Sequence, residues 1–422
     1  MKILFLAHRT PYPPDKGDKV RSFHLLSYLA KRHDVSLVYY VDDRRDFAHA
    51  PYLRSLCTGQ AIAVGLNRSL AKCRALFSLL TGRSFTEGYY SSGSFRRAVE
   101  RALRDGPFDA VFAFSSAMAP YARPVGANIK IIDFVDVDSD KWGQLAKIST
   151  SPVSFLYGLE QKRLCRLEVE ISGWAQWSLF VSAAEADLFR KQGGKGAIEF
   201  LPNGTNLELW RLPRDSVPAQ SADCTGPDQA GPAKMIFVGT MDYYPNVDAV
   251  QYFVKDIFPL IREKFPHAVF QIVGRSPTKA VRRLRDIDGV QVVGEVDDIR
   301  AYLVQADLSV APMRVARGVQ NKVLEAMAMG VPVVASPSAT QGIEVFEGDE
   351  VLIGSSPEEF AFKAITLLAD AELRRAITKR AWKKMKQLYN WDTIGLKLET
   401  FLIPPVGETL SSDGNKISTG RL

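Results

Sequence analysis

The chain has 422 residues, 46% apolar and 24% charged, which is the balance of a globular protein long enough for two domains of roughly 200 residues. No run approaches the ~18 uninterrupted apolar residues of a membrane-spanning helix. Cys57, Cys73, Cys165 and Cys224 show no paired spacing for zinc or a disulfide framework, so a cytoplasmic, reducing location is expected. The net charge of +7 lies entirely in the first half, with 28 Lys and Arg against 21 Asp and Glu up to residue 210 and 26 against 26 beyond it. A basic surface of this kind suits an anionic substrate, an anionic leaflet or nucleic acid. Nucleic acid is set aside, because no basic run interleaved with aromatic residues and no known nucleic-acid module is present.

In chain order, Ile3 to Ala7 predicts a buried strand, Val20 to Arg32 a helix and Val35 to Val41 a second strand. Between the first strand and the helix lies Tyr12-Pro13-Pro14-Asp15-Lys16-Gly17-Asp18-Lys19-Val20-Arg21, where Gly17 permits close backbone approach at a helix start and Arg21 follows one turn on. These two residues are expected to meet an anionic ligand, or else to form an ordinary helix start with a solvated basic face. His8 and His24 read as core or surface histidines. Arg68 to Phe85, RSLAKCRALFSLLTGRSF, sets Arg68, Lys72, Arg74 and Arg83 around Leu70, Leu76, Phe77, Leu79 and Leu80. That pattern fits a helix lying on an anionic membrane and equally a core helix with solvated arginines. Ala110 to Phe114, Ile131 to Val135 and Leu179 to Ser182 are further short buried runs, separated by helical stretches such as Phe95 to Arg104 and Phe155 to Ile171. The alternation predicts a parallel sheet with helices on both faces. Asp133, Asp136, Asp138 and Asp140 fall at or just after one of these strands.

Composition changes at Arg211 to Lys234, rich in Pro, Gly, Ser, Ala and Asp, which reads as a linker. The pattern then restarts, with strands at Met235 to Gly239, Ala268 to Gly274, Val290 to Gly294, Leu308 to Pro312, Val331 to Ala335 and Val351 to Ile353. Helices are predicted at Val247 to Lys264, Lys279 to Arg285, Ile299 to Gln305 and Lys322 to Met329, and from Pro357 to Leu388 with a break near Asp370-Ala371. The expected divisions are a first domain over 1–210, a linker over 211–233, a second domain over 234–385, a crossover helix over 386–402 and a disordered tail over 403–422. The stretch ARGVQNKVLEAMAMGVPVVAS, Ala316 to Ser336, places a single carboxylate, Glu325, in an apolar helix stopped by Gly330. Arg317, Gly318, Asn321 and Lys322 precede or open that helix, and a basic, glycine-containing helix start is a good seat for a phosphate. Lys322 lies one turn before Glu325 on the same face.

Two doubly wound domains leave several possibilities. A dinucleotide dehydrogenase requires G-x-G-x-x-G after its first strand and a P-loop protein requires G-x-x-x-x-G-K-[ST], and neither is present. LEAMAMGVPVVAS, the ADLSVAPMR and VVGEVDDIRAYLVQADL segments before it, FVSAAEADLF with LPNGTNLELW, and YNWDTIGLKLETFL together resemble the retaining glycosyltransferases of the GT-B fold, in particular glycosyltransferase family 4. The resemblance runs from Met1 to about Leu402. PYPPDKGDKVRSFHLL, IDFVDVDSDKW, VGTMDYYPNVDAVQYF and GVQNKVLEAMAMG are similar to a sugar transferase subgroup of bacterial exopolysaccharide loci that accompany the PEP-CTERM sorting system. It implies two Rossmann-like domains and transfer of a sugar, with retention, from a nucleotide diphosphate sugar to a saccharide or lipid-linked acceptor at the inner face of the cytoplasmic membrane. It also implies that Glu325 takes the ribose hydroxyls, as an acceptor-only carboxylate can, and that the fold works without a metal or other cofactor.

The sequence departs from the family twice. Where the family usually carries a glutamate that reads the donor sugar stands Arg317, and the basic pair near the diphosphate is replaced by Gly239-Thr240-Met241-Asp242-Tyr243. Arg317, Lys322 and Arg275 are therefore the expected cations for the diphosphate, with backbone groups near Gly274 and Gly294 reading the base. UDP and GDP both fit. Asp136 occupies about the place where the family often has a histidine near the reacting sugar, and is expected to position the acceptor, with Arg21 on the donor. A nucleotide-sugar 2-epimerase of the same fold and a catalytically silent scaffold for polysaccharide enzymes are the alternatives.

Overall fold

The computed structural model describes residues 1–14, 17–149, 151–205, 207, 231–316 and 319–405. The expected linker falls almost wholly outside the described residues, as does the expected tail beyond residue 405. The chain forms two compact units, one from residues 1–180, 188–199 and 396 onward, the other from 181–187 and 200–395.

The first unit is built on β1 (Lys2–Ala7), β2 (Asp34–Val41), β3 (Ala61–Gly65), β4 (Ala110–Phe114), β5 (Ile129–Val135), β6 (Trp177–Phe180) and β7 (Ile198–Phe200), in the sheet order β3-β2-β1-β4-β5-β6-β7. Ile3, Leu4, Phe5 and Leu6 are fully buried, as are Val111, Phe112 and Ala113, because a parallel strand covered on both faces must be apolar along its whole length. Its helices are α1 (Gly17–Ala30), α2 (Ala50–Leu56), α3 (Arg68–Ser78), α4 (Phe85–Tyr90), α5 (Gly93–Leu103), α6 (Ala119–Ala122), α7 (Asp138–Ile148), α8 (Val153–Ser172) and α9 (Ala183–Lys191). Sequence patterning missed β3 and β7. Only Val64 of β3 is buried, and β7 has three residues, so neither carries the continuous apolar run that marks the central strands.

The second unit repeats the plan. β8 (Lys234–Val238), β9 (Val269–Val273), β10 (Val290–Gly294), β11 (Leu308–Ala311), β12 (Val333–Ala335) and β13 (Leu352–Ile353) lie in the order β10-β9-β8-β11-β12-β13. All six were expected. The predicted Val247 to Lys264 helix is a Tyr244–Tyr252 helix continued through a π turn at Phe253–Ile257 into Phe258–Arg262. The predicted break at Asp370 is present, with the Asp370 side chain accepting from the Leu373 amide to cap a new helix, Ala371–Leu388.

Both sheets share one logic. Chain order reverses between β1 and β4 in the first and between β8 and β11 in the second, and ligands of such sheets bind beyond the carboxyl ends of the strands at that switch point. Among the described residues, no helix is long and apolar enough to cross a membrane.

Candidate functional site

At the switch point of the second unit, three glycine-bearing turns follow β8, β9 and β10 and hold one another. The Gly239 amide donates to the Val273 carbonyl at 3.1 Å, the Gly274 amide to the Gly294 carbonyl at 2.7 Å, and the Met241 amide to the Arg275 carbonyl at 2.8 Å. Gly274 has φ +149° and Gly294 φ +85°, and a Cβ on Gly274 would overlap the Gly239 carbonyl oxygen. Only glycine permits backbones this close. The expectation that Gly274 and Gly294 line the site with backbone groups thus falls on adjacent turns.

The helix Asn321–Ala328 begins beside them. Gln320 is its N-cap residue and supplies no side-chain cap; the Val323 amide donates to the Gln320 carbonyl at 3.0 Å, while the Asn321 and Lys322 amides have no acceptor among the described residues. Val323, Leu324, Ala326 and Met327 are buried against the core, while Asn321, Lys322 and Glu325 are half-buried on the other side. Lys322 Nζ donates to Asn246 Oδ1 at 3.1 Å and to Gln320 Oε1 at 3.2 Å, and lies 5.2 Å from the Phe237 ring centre. All of these partners are neutral. Asn246 is buried and donates in turn to the Thr240 carbonyl at 2.9 Å. Gly239 makes room for it, since a Cβ there would lie 2.7 Å from Asn246 Nδ2. The Lys322–Asn246 bond thus joins the segment after β11 to the segment after β8, across the switch point.

Burial lowers Lys322 to about 8, against a partial opposing pull from Glu325. Burial likewise pushes Glu325 up to about 7, with Lys322 opposing. The Glu325 carboxylate makes no hydrogen bond among the described residues, while its backbone carbonyl accepts from the Met329 amide at 3.0 Å. A carboxylate and an ammonium one turn apart, coupled through charge, leave an anion seat and a pair of acceptor oxygens side by side. Arg275 is half-buried, and among the described residues its guanidinium has no partner. Arg317 and Gly318 lie outside the described residues. The open hollow between His267, Arg285, Asp288 and Gln291 sits at the starts of β9 and β10, opposite these turns, and has no part in the arrangement.

The first unit has its own switch point, and there the structure departs from expectation. Gly17 is the exposed first residue of α1, which starts three residues before the expected Val20, with Asp15 and Lys16 outside the described residues. Arg21, expected to meet the donor, is instead fully buried. Its Nε and Nη2 donate to the two carboxylate oxygens of the equally buried Asp133, at 2.8 and 3.0 Å. A guanidinium this deep in the unit holds backbone rather than ligand. Asp133 Oδ1 accepts from the Val135 amide at 3.3 Å. Val135, at φ +69°, sits at an irregularity in the β5–β6 register, a conformation that a β-branched residue adopts only under constraint. The pair therefore fixes the turn that presents Asp136.

Asp136 Oδ2 accepts from Lys141 Nζ at 2.8 Å, and Asp138 Oδ1 from the same ammonium at 2.9 Å. Burial works against the Lys141 charge, but Asp138 and Asp136 more than offset it and hold the ammonium above its usual range. The other Asp136 oxygen, Oδ1, is buried and has no hydrogen-bond partner among the described residues.

Two residues stand close by, His8, which the sequence reads as a core or surface histidine, and Glu168, which it does not single out. His8 follows β1, stacks on Phe114 with ring centres 5.7 Å apart, and lies 3.8 Å from Asp18; burial lowers its pKa, with Asp18 opposing. Glu168, buried on α8, accepts from the Ser139 amide at 3.2 Å; burial pushes it to about 8, and its Oε2 has no partner. Neither carries a sequence signal, since each reads as one more residue in a strand end or a helix. Asn246 was missed in the same way. Its motif reads as a helix start, and nothing local announces a partner 76 residues later.

Residues 232–370 match the family described as glycosyl transferases group 1. The chain is 26% identical over 147 residues to glycosyltransferase 1 domain-containing protein 1 of Xenopus tropicalis, covering 33% of this chain and 42% of that protein. It is also 26% identical over 247 residues to the GDP-mannose-dependent alpha-(1-6)-phosphatidylinositol monomannoside mannosyltransferase of Mycobacterium tuberculosis, covering 53% and 60%. The chain thus spans less than two thirds of the length of either relative. Among solved structures, Anabaena HepE in complex with UDP and glucose superposes with a TM-score of 0.65 at 16% identity, over 95% of this chain and 99% of that one. The chain therefore has the GT-B fold, and its match to the glycosyl transferases group 1 family lies within the second unit.

Proposed function

We propose that the protein is a glycosyltransferase that moves a sugar from a nucleoside diphosphate sugar to a hydroxyl of a saccharide acceptor. The observation that carries this reading is the Lys322–Glu325 pair on a helix start at the second switch point, beside three interlocked glycine turns. Lys322, the first-turn amides and Arg275 receive the diphosphate, Glu325 accepts from the ribose hydroxyls, and the backbone at Gly274 and Gly294 faces the base. As the bond from the anomeric carbon to the phosphate oxygen breaks, charge grows on the departing diphosphate, and these fixed donors stabilise it. The acceptor oxygen forms the new glycosidic bond, and its proton passes to the phosphate oxygen released from the anomeric carbon. Asp136, with one oxygen on Lys141 and the other without a partner among the described residues, is the candidate of the first unit for holding that hydroxyl.

In its finer form, the reading is a retaining enzyme of glycosyltransferase family 4 that extends a lipid-linked saccharide for exopolysaccharide, at the cytoplasmic face of the membrane. It asks for no metal and no cofactor besides the donor. The test is a thermal-shift screen of UDP, GDP, UDP-glucose and GDP-mannose, followed by product analysis with the donor that binds. A ligand bound only to the native state must raise the melting temperature, by about 2.7 kcal/mol of stabilisation at a hundredfold excess over Kd. Absence of a shift with every nucleotide would overturn the reading in favour of a silent scaffold.

A further inference from the structure

The Arg68 to Phe85 segment left two readings open, and the structure removes one. Leu76 is 65% exposed, Phe77 63% and Leu80 82%, so the apolar stripe of this segment is not core. The reason is in the packing of α3 on α4. Small residues take the inner face: Ala71 and Ser78 are buried, and a Cβ on Gly88 would come within 2.7 Å of Ser78 Cβ and 2.9 Å of the Arg74 carbonyl. Arg74 turns inward and donates to the Tyr89 carbonyl at 3.2 Å. With the close contact made by small groups, the large apolar groups are left outside.

A second element, unmarked in the sequence, extends the patch. Phe155 in the first turn of α8 is 72% exposed, with Val153 and Leu156 also exposed. Further along, α8 is tied to the end of α3. Arg163 donates to the Leu79 and Arg83 carbonyls at 3.1 Å each, and Glu160 accepts from the Thr86 amide at 3.0 Å. Phe155 is thus only roughly 8–12 Å along the helix from that junction, at 1.5 Å per residue. Arg68, Lys72 and Arg83 flank the α3 apolar groups along the chain and Lys162 follows Phe155 two turns along α8; these four and Lys147 are exposed, with Arg68 reaching Asp42 at 3.3 Å and Arg83 reaching Glu87 at 3.4 Å, in the half of the chain that holds the whole net positive charge. Apolar side chains standing out from helices that also carry exposed cations match the boundary between acyl chains and anionic headgroups.

We infer that the outer face of α3 and the first turn of α8 form one docking surface for an anionic phospholipid bilayer; this rests on the lipid-linked acceptor of the reading above. It is tested by sedimentation of the full chain with phosphatidylcholine vesicles, with and without phosphatidylglycerol. Three variants are compared: Leu76→Ser with Phe77→Ser and Leu80→Ser, Phe155→Ser alone, and Arg68→Gln with Lys72→Gln and Arg83→Gln. The parent is expected to sediment with the anionic vesicles. Each multiple variant should lose roughly tenfold or more in partitioning, Phe155→Ser less, and the charge variant alone should become insensitive to salt. Four results would overturn the surface: a parent that ignores anionic vesicles, a parent that binds both vesicle types equally, a Leu76/Phe77/Leu80 variant that binds as the parent does, and a parent dimer that this variant dissociates. Nucleotide thermal shifts on the same proteins separate the two proposals. Loss of vesicle binding with intact shifts isolates the surface, and vesicle binding without any shift leaves the surface standing while the donor reading fails.

Discussion

The two switch points use charge in opposite ways. In the first unit nearly every cation near the ends of β1 and β5 has an acidic partner in the same unit: Arg21 with Asp133, Lys141 with Asp136 and Asp138, Arg9 with Asp18, and Lys19 with Asp46. In the second, Arg314 is paired with Asp248, but Lys322 Nζ bonds only neutral groups and meets opposite charge only through Glu325, and neither the Arg275 guanidinium nor the Glu325 carboxylate has a hydrogen-bond partner among the described residues. Charge that is paired within the unit fixes backbone; charge left with neutral neighbours is, in the proposed reading, held for a ligand. The proposed donor role of the second unit rests on that difference, and each half of it can be broken.

The largest effect is expected from breaking a pair. Arg21→Ala leaves Asp133 buried without its cation, which should cost about 3–5 kcal/mol of stability, measured by urea unfolding. A variant that unfolds like the parent but binds the donor poorly would return Arg21 to the ligand-contacting role its position in the sequence suggested.

Next comes removal of an unpaired charge. Glu325→Ala should lose one or two charge-assisted hydrogen bonds to ribose, at about 1.5–3 kcal/mol each, with donor affinity down roughly tenfold or more. Stability should be kept or improved, because the carboxylate is already disfavoured by its surroundings. Titration calorimetry with the donor found by the nucleotide screen checks the first expectation and a melting curve the second. Parent-like affinity would remove Glu325 from the site.

The placing of Glu325 and Lys322 one turn apart on one helix was legible in the sequence because it is local, resting on an apolar helix period, a glycine stop, and a cation one turn before a carboxylate, whereas the bond from Lys322 to Asn246, 76 residues away, was not. The six strands of the second unit were legible for the same reason. Arg21 was misread because its partner, Asp133, lies 112 residues away, and the spacing of a loop and a helix start says nothing about which sheet face the guanidinium enters. The α3 stripe was ambiguous because periodicity reports that a helix has an apolar face, not which way that face points. Ser78 and Gly88, two small residues that set the packing of α3, decide it.

Glu168 is the exception in the first unit, a buried carboxyl without a full partner, and it sharpens the comparison. Its folded value of about 8 lies above the ordinary glutamate range, so the folded protein holds a proton that the unfolded chain releases. Stability should fall as pH rises from about 4.5 towards 8. Glu168→Gln removes that titration and should be more stable than the parent by roughly 1–3 kcal/mol at pH 8, with little difference at pH 4.5. Parallel stability curves for the two proteins would show that the carboxyl is solvated or paired after all.

The smallest effect tests the unpaired charges without removing either. Lys322 is lowered to about 8, so its positive charge is lost as pH rises through that value; Glu325 is raised to about 7, so its negative charge is lost as pH falls through that value. A nucleoside diphosphate sugar needs both charges, and its own diester phosphates do not titrate in this range. Its affinity should therefore peak between about pH 7 and 8 and decline on each side, by no more than roughly tenfold per pH unit. Lys322→Met should lower the peak and flatten the alkaline limb, while Glu325→Gln should flatten the acid limb and leave the alkaline one. Bound diphosphate favours the ammonium, so the alkaline limb should move to higher pH in the complex, and proton uptake on binding at pH 8 should show in the buffer dependence of the calorimetric heat. Binding that is flat from pH 6 to 9, with no proton uptake, would mean that neither group meets the ligand, and the contrast between the two switch points would then be structural only.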